Sequence, residues 1–165
     1  MKYALIGCGR IATNHIKAVI NNNLELVAVC DVIPEHMELL LEKHDLNKTT
    51  SIKRYTDYKK MIEENELELV GIATESGIHA EIALYCIEHN INVIIEKPMA
   101  MSIEDADKII QLSEAKGVKV SERKEKRVVT EKYDTTPKQY LTLKDEATGL
   151  VYKYVGQTSD SAPAA

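Results

Sequence analysis

Near the start of the chain, Gly7-Cys8-Gly9-Arg10-Ile11-Ala12 follows the apolar run Tyr3-Ala4-Leu5-Ile6, and a second run, Leu26-Val27-Ala28-Val29-Cys30, ends on Asp31. Each position has a physical task in holding a dinucleotide. The first glycine permits a tight turn, the second lets backbone approach a pyrophosphate, and a small third residue, here Ala12, lets helix pack on strand. The pyrophosphate then meets the N-terminus of the next helix, where unclaimed N–H groups and the helix dipole favour negative charge. Asp31 lies 22 residues beyond Gly9, near the ~20-residue spacing of an acid that receives a ribose. A carboxylate there accepts both ribose hydroxyls and repels a 2′-phosphate, so the pattern predicts NAD, with NADP disfavoured. Taken alone, the same residues describe a strand-to-helix turn with Asp31 capping a helix ahead of Pro34. The strand before, the helix after and the acid at the next strand end favour the dinucleotide.

Gly7, Gly9, Arg10, Ile11 and Ala12 make up the expected cofactor turn. Arg10 suits a pyrophosphate or adenine-side contact, or equally a solvated helix start. Thr74 follows a third apolar run, where its backbone and hydroxyl sit at a strand's carboxyl end and are expected to touch cofactor. Further on, Val93-Ile94-Ile95 leads into Glu96-Lys97-Pro98. A lysine held beside a nicotinamide and a reacting hydroxyl stabilises a developing alkoxide or relays its proton, provided its surroundings lower its pKa. Pro98 fixes the turn that aims Lys97 and biases it toward an extended conformation. The competing reading is a surface lysine paired with Glu96. His79 opens a helix, a place where histidine more often serves as a structural hydrogen bonder than as a catalyst. His15, one turn into the first helix, is expected to pack or to contact a carbonyl.

The elements that must position these residues alternate. Strands are predicted at 2–6, 25–30, 52–54, 68–73, 91–95 and 118–121, with helices at 10–21, 34–44, 56–64, 77–89 and 102–116 between them. Such alternation implies βαβ crossovers and a parallel sheet covered on both faces, with ligands bound beyond the carboxyl ends of the strands. The fold class is therefore α/β, a Rossmann-type doubly wound parallel sheet. Ser102, followed by Asp105, caps the fifth helix as a variant capping box.

Composition narrows the partners. A chain of 165 residues, 44% hydrophobic, can bury one full core. With no Phe or Trp, aliphatic side chains and eight tyrosines must fill it, which suits the Val/Ile/Leu-rich strands of a buried parallel sheet. A net charge of -5 lacks the basic footprint of a nucleic-acid binder, so no nucleic-acid partner is expected. Cys8, Cys30 and Cys86 are far apart and read as reduced structural thiols, with no metal site and no disulfide. No apolar stretch approaches the ~18 residues that span a bilayer, and the N-terminus lacks an export pattern, so a cytoplasmic protein without membrane partners is expected.

Residues 1–121 resemble the nucleotide-binding half of the Gfo/Idh/MocA oxidoreductases, the glucose–fructose oxidoreductase and inositol dehydrogenase family. The resemblance rests on Ala4 to Ala12 with His15, on Ala73-Thr74 with His79-Ala80-Glu81, and on Val93 to Ala100 with its Glu-Lys-Pro, which begins 87 residues past Gly9. It implies NAD-dependent oxidation or reduction of a sugar, cyclitol or nucleotide-sugar hydroxyl, with Lys97 catalytic, His79 close to the cofactor and a candidate second catalytic group, and Glu96 lining the cleft near the nicotinamide ribose. The Thr74-Glu75-Ser76-Gly77-Ile78-His79 segment and the stretch from Cys86 to Lys116 look most like members that oxidise the 3-hydroxyl of a UDP-N-acetylated sugar. The alternative is a non-catalytic dinucleotide-binding module, a remnant without the family's substrate domain, because nothing in 122–165 matches that domain.

Past Ser121 the run Glu122-Arg123-Lys124-Glu125-Lys126-Arg127 reads as a charged linker. Gln139 to Lys144 and Leu150 to Val155 alternate around an Asp145 to Gly149 turn, predicting a β-hairpin appendage. Val128-Val129 is expected to begin another strand before a break at Pro137. The expected organisation is a dinucleotide-binding domain over 1–121, linker and hairpin over 122–156, and a disordered tail over 157–165. An isolated hairpin is marginal in water, so this one must pack on the first domain or pair with a partner chain, which allows a homo-oligomer.

Overall fold

The computed structural model describes residues 1–122, 141–144 and 151–154. The first elements set the pattern: strand β1 (Lys2–Ile6) turns into helix α1 (Ala12–Asn21) and returns as β2 (Glu25–Cys30). Next come α2 (Pro34–Lys43), β3 (Lys53–Tyr55), α3 (Tyr58–Glu63) and β4 (Leu69–Ile72). A 3-10 turn (Ser76–Ile78) leads into α4 (His79–Glu88), then β5 (Asn92–Ile95), α5 (Ile103–Lys116) and β6 (Val120–Glu122). The six strands are all parallel, in the order β3-β2-β1-β4-β5-β6.

Period-two alternation divides the core between the two sheet faces. On β1, Ala4 and Ile6 join Val70, Ile72, Val93 and Ile95, which pack with Ile82, Ile87 and Ile109 of α4 and α5. Tyr3 and Leu5 face the other way, toward Ile16, Met37 and Leu41 of α1 and α2. Each fully buried aliphatic side chain contributes about 1.5–3 kcal/mol, so β1 and β2 at the middle of the sheet are anchored from both sides by their own residues.

Local chemistry sets the ends. Gly9, Arg10 and Ile11 form a turn, so α1 starts at Ala12 and not at 10. After α5, the Gly117 N–H bonds the Glu114 carbonyl and the Val118 N–H bonds the Ser113 carbonyl. Those bonds hold Val118 to the helix end, and the last strand begins at Val120 where 118 was expected. Ser102 caps α5: its hydroxyl accepts from the Asp105 N–H at 3.1 Å and donates to the Asp105 carboxylate at 2.9 Å. Ser102→Ala is expected to cost about 1 kcal/mol and to lower the melting temperature by about 2–4 °C. A thermal unfolding curve checks this, and no change would mean that the cap is replaced by water.

All three cysteines are unpaired and buried. Burial pushes the Cys30 and Cys86 thiols up to about 12 and the Cys8 thiol higher still. The compact unit holding this sheet is Met1–Glu125, and Lys126–Ala165 forms a second. In the second unit β7 (Leu141–Lys144) pairs antiparallel with β8 (Val151–Tyr154), Leu141 opposite Tyr154 and Lys144 opposite Val151. That is the expected hairpin; its turn, the Val128-Val129 strand, the Pro137 break, Arg127 and the 157–165 tail lie outside the described residues.

Candidate dinucleotide site

In this strand order β1 is flanked by β2 and β4, so the chain leaves the centre of the sheet in opposite directions, and the crevice opens beyond the ends of β1 and β4. Gly7 sits at that point with φ +91, its N–H donating to the Cys30 carbonyl at 2.8 Å. A β-carbon at Gly7 would lie 2.5 Å from the carbonyl carbon and oxygen of Ala73. The loops after β1 and β4 therefore touch, and only glycine lets them. Gly9 is different: a β-carbon there would meet nothing within 4 Å, which leaves open space on the side where a pyrophosphate would approach. Helix α1 begins without a side-chain cap and without an acidic residue in its first turn, so its terminus keeps its capacity for an anion.

Asp31 closes the far end of β2. Its side chain is only 10% exposed, and its carboxylate accepts the Cys8 N–H at 2.7 Å and the Ile33 N–H at 2.9 Å. The His36 Nδ1 atom lies 3.3 Å from the same carboxylate. Asp31 thus braces the glycine turn, and with room for about four hydrogen bonds on a carboxylate it retains acceptor capacity for ribose. It is not the cap of α2; that position falls to Ile33, which makes no side-chain bond. A cleft of about 360 Å³ brings together Gly7, Gly9, Asp31 and Thr74, with Val32 and His36 on its rim.

The remaining predicted residues stand around the β4 and β5 ends. Thr74 donates its hydroxyl to the Glu75 carbonyl at 3.3 Å. His79 is buried, with Nδ1 2.8 Å from the Pro98 carbonyl and Nε2 3.0 Å from the Thr74 carbonyl. The ring thus stands between the loop after β4 and the loop after β5, one nitrogen facing a carbonyl of each. Lys97 is exposed at the end of β5, joined to Pro98 by a cis peptide. The Met99 N–H donates to the Glu122 carboxylate at 3.0 Å, so the lysine's loop is held from two directions. Arg10 is exposed at the start of the turn, while Ile11 is half-buried and Ala12 fully buried.

Two arrangements escape a linear reading. His15 touches a carboxylate rather than a carbonyl: its Nε2 lies 2.9 Å from Glu96 Oε1, and its Nδ1 lies 3.0 Å from the Tyr3 hydroxyl. Glu122, which the charge run made a linker residue, belongs to β6 and anchors Met99. No sequence signal marks either pair, since the partners lie 81 and 23 residues apart. Among the described residues, no group of three or more His, Cys, Asp or Glu side chains is placed to hold a metal ion, and no helix is long and apolar enough to cross a membrane.

An all-parallel sheet in this order, with a positive-φ glycine, an open second glycine and an acid at the end of β2, defines a dinucleotide-binding Rossmann domain. The chain belongs to the Gfo/Idh/MocA oxidoreductase family: residues 1–124 match the profile of its NAD-binding Rossmann fold. Among curated relatives it is similar to inositol 2-dehydrogenase of Salmonella typhimurium, 29% identical over 119 residues that cover 71% of this chain and 34% of that protein. Glycosyl hydrolase family 109 protein 1 of Bacteroides fragilis is 37% identical over 94 residues, 54% of this chain and 20% of that protein. Among solved structures, the WlbA dehydrogenase from Bordetella pertussis in complex with NADH and UDP-GlcNAcA superposes with a TM-score of 0.69 at 28% identity, covering 79% of this chain and 39% of that one. The chain thus spans about a third or less of the length of these curated relatives.

Proposed function

We propose that this chain binds NAD in the cleft between Gly7, Gly9, Asp31 and Thr74, and serves as the cofactor-binding part of an oxidoreductase acting on a sugar, cyclitol or nucleotide-sugar hydroxyl. The observation that carries the reading is Asp31, half-buried at the end of β2 and bonded to the glycine turn itself. Gly9, Arg10, Ile11 and Ala12 at the start of α1 would hold the pyrophosphate, and Thr74, Glu96 and Lys97 would receive the nicotinamide half. Bound NAD supplies the hydride acceptor. Lys97 holds the substrate hydroxyl and meets the charge that develops on its oxygen as the C–H bond breaks, taking the proton when it enters as the free amine. His79 holds the two loops that flank this point, and the substrate is a small molecule.

The family match and the complex of a similar WlbA dehydrogenase with a UDP-sugar support the narrower reading of a UDP-N-acetylated sugar 3-hydroxyl. A second reading, cofactor binding without turnover, fits a family match that covers the NAD-binding fold over residues 1–124. Much of the binding energy that orients a substrate must come from contacts beyond the reacting atoms. Three unpaired buried cysteines support a reducing, cytoplasmic compartment.

The test is calorimetric titration of the purified chain with NADH and NADPH, followed by turnover assays with UDP-sugars and inositols. NADH is expected to bind at least about tenfold more tightly, because a 2′-phosphate near a partly buried carboxylate is repelled by one to several kcal/mol. Turnover selects the enzyme, and binding without turnover selects the module. Equal affinities would remove Asp31 from the ribose, and no binding of either ligand would overturn the cofactor reading.

A further inference from the structure

Three buried polar side chains touch one another in succession inside the domain. Tyr3 on β1, His15 on α1 and Glu96 at the end of β5 are 2%, 6% and 7% exposed. The phenol oxygen lies 3.0 Å from His15 Nδ1, and His15 Nε2 lies 2.9 Å from Glu96 Oε1. One neutral tautomer makes both bonds, and burial together with the Glu96 charge pushes the Tyr3 phenol above its usual range, keeping it a donor. The sheet is built to admit this succession. On β4, a β-carbon at Gly71 would collide with the Tyr3 hydroxyl and come within 2.9 Å of His15 Nδ1. Burying polar groups costs free energy that their mutual bonds only offset, so packing alone gives no reason for this arrangement.

The succession joins the two ends of the cofactor cleft. His15 stands one turn beyond Ala12, on the helix whose N-terminus faces the pyrophosphate position. Glu96 is the residue before Lys97, and its N–H bonds the Ile72 carbonyl at 2.9 Å. Its carboxylate is drawn back under α1 while the next residue emerges to solvent. We propose that His15 is a positioning residue: by holding the Glu96 carboxylate it fixes the backbone that presents Lys97 at the nicotinamide end, and ties that end to the helix that binds the pyrophosphate. This rests on the NAD reading above.

The test compares NADH with ADP-ribose, which lacks only the nicotinamide ring, on the full 165-residue chain. His15→Leu is expected to weaken NADH binding about tenfold or more, the cost of a lost bond to a buried charge, and to change ADP-ribose affinity by less than about threefold. His15→Gln, whose amide N–H reaches toward the same carboxylate, is expected to recover most of the loss, with unchanged far-UV circular dichroism. Equal weakening of both ligands, no weakening, or a Gln variant no better than Leu would each overturn the proposal. So would wild-type protein that binds NADH no more tightly than ADP-ribose, which leaves the cofactor reading standing. Wild-type protein that binds neither ligand sinks both. Should His15→Leu fail to fold, Glu96→Gln keeps the volume and weakens the acceptor; it is expected to show the same split, and an equal loss for both ligands overturns the inference.

Discussion

Gly7→Ala is expected to abolish dinucleotide binding and to lower stability by about 2–6 kcal/mol, a large share of the ~5–15 kcal/mol of an ordinary domain. Two effects add. A side chain at φ +91 costs about 1–3 kcal/mol of backbone strain. The new methyl also meets the Ala73 carbonyl group at 2.5 Å and the Thr74 nitrogen at 2.6 Å, main-chain atoms that cannot turn aside; forcing such overpacking costs about 1–3 kcal/mol more. The loops after β1 and β4 must then separate, which opens the cleft. Gly9→Ala is the contrast, because its methyl enters open space. Stability is expected to change by less than about 0.5 kcal/mol, while the methyl occupies the pyrophosphate's approach and NADH affinity falls. Denaturant melts and NADH titrations of both variants separate the two roles. Equal stability of the two variants would mean that the Gly7 contact is relieved elsewhere.

Replacing Asp31 by alanine together with Val32→Arg is expected to move the NADPH-to-NADH affinity ratio by about 100-fold or more toward NADPH. Removing the carboxylate takes away the repulsion and the ribose acceptor, and an arginine adds a partner for the 2′-phosphate with matching planar geometry. Val32 is 81% exposed, so the larger side chain displaces no core atom. The alanine also releases the Cys8 and Ile33 N–H groups that Asp31 holds and weakens both ligands. Taking the ratio cancels that shared loss, so the measurement reports recognition of the ribose. An unchanged ratio would assign Asp31 to bracing the glycine turn alone.

Several features were legible from residue order. Alternating apolar runs and helix-period segments gave the six strands and five helices to within a few residues, and the resemblance carried by Ala4 to Ala12 with His15, Ala73-Thr74 with His79 to Glu81, and Val93 to Ala100 agrees with the family match over residues 1–124. The element ends were less legible, because they depend on bonds such as Val118 N–H to Ser113, which compete with the strand that follows. For His79, sequence placed the residue at a helix start but not the two carbonyls that its ring faces.

The sequence by itself determined the parallel α/β class, the glycine turn and the acid at the end of β2, since these follow from periodicity and from spacing within one βαβ unit. Only the tertiary structure decided what Asp31, His15, Glu96 and Glu122 bond. Most of those partners sit on a helix and on loops at strand ends that meet only once the order β3-β2-β1-β4-β5-β6 is set. His15 meets Glu96 across 81 residues because β1 and β5 both flank β4, and Gly71 leaves the space between them. A hydrogen bond acts over about 3 Å, and sequence separation carries no record of that distance.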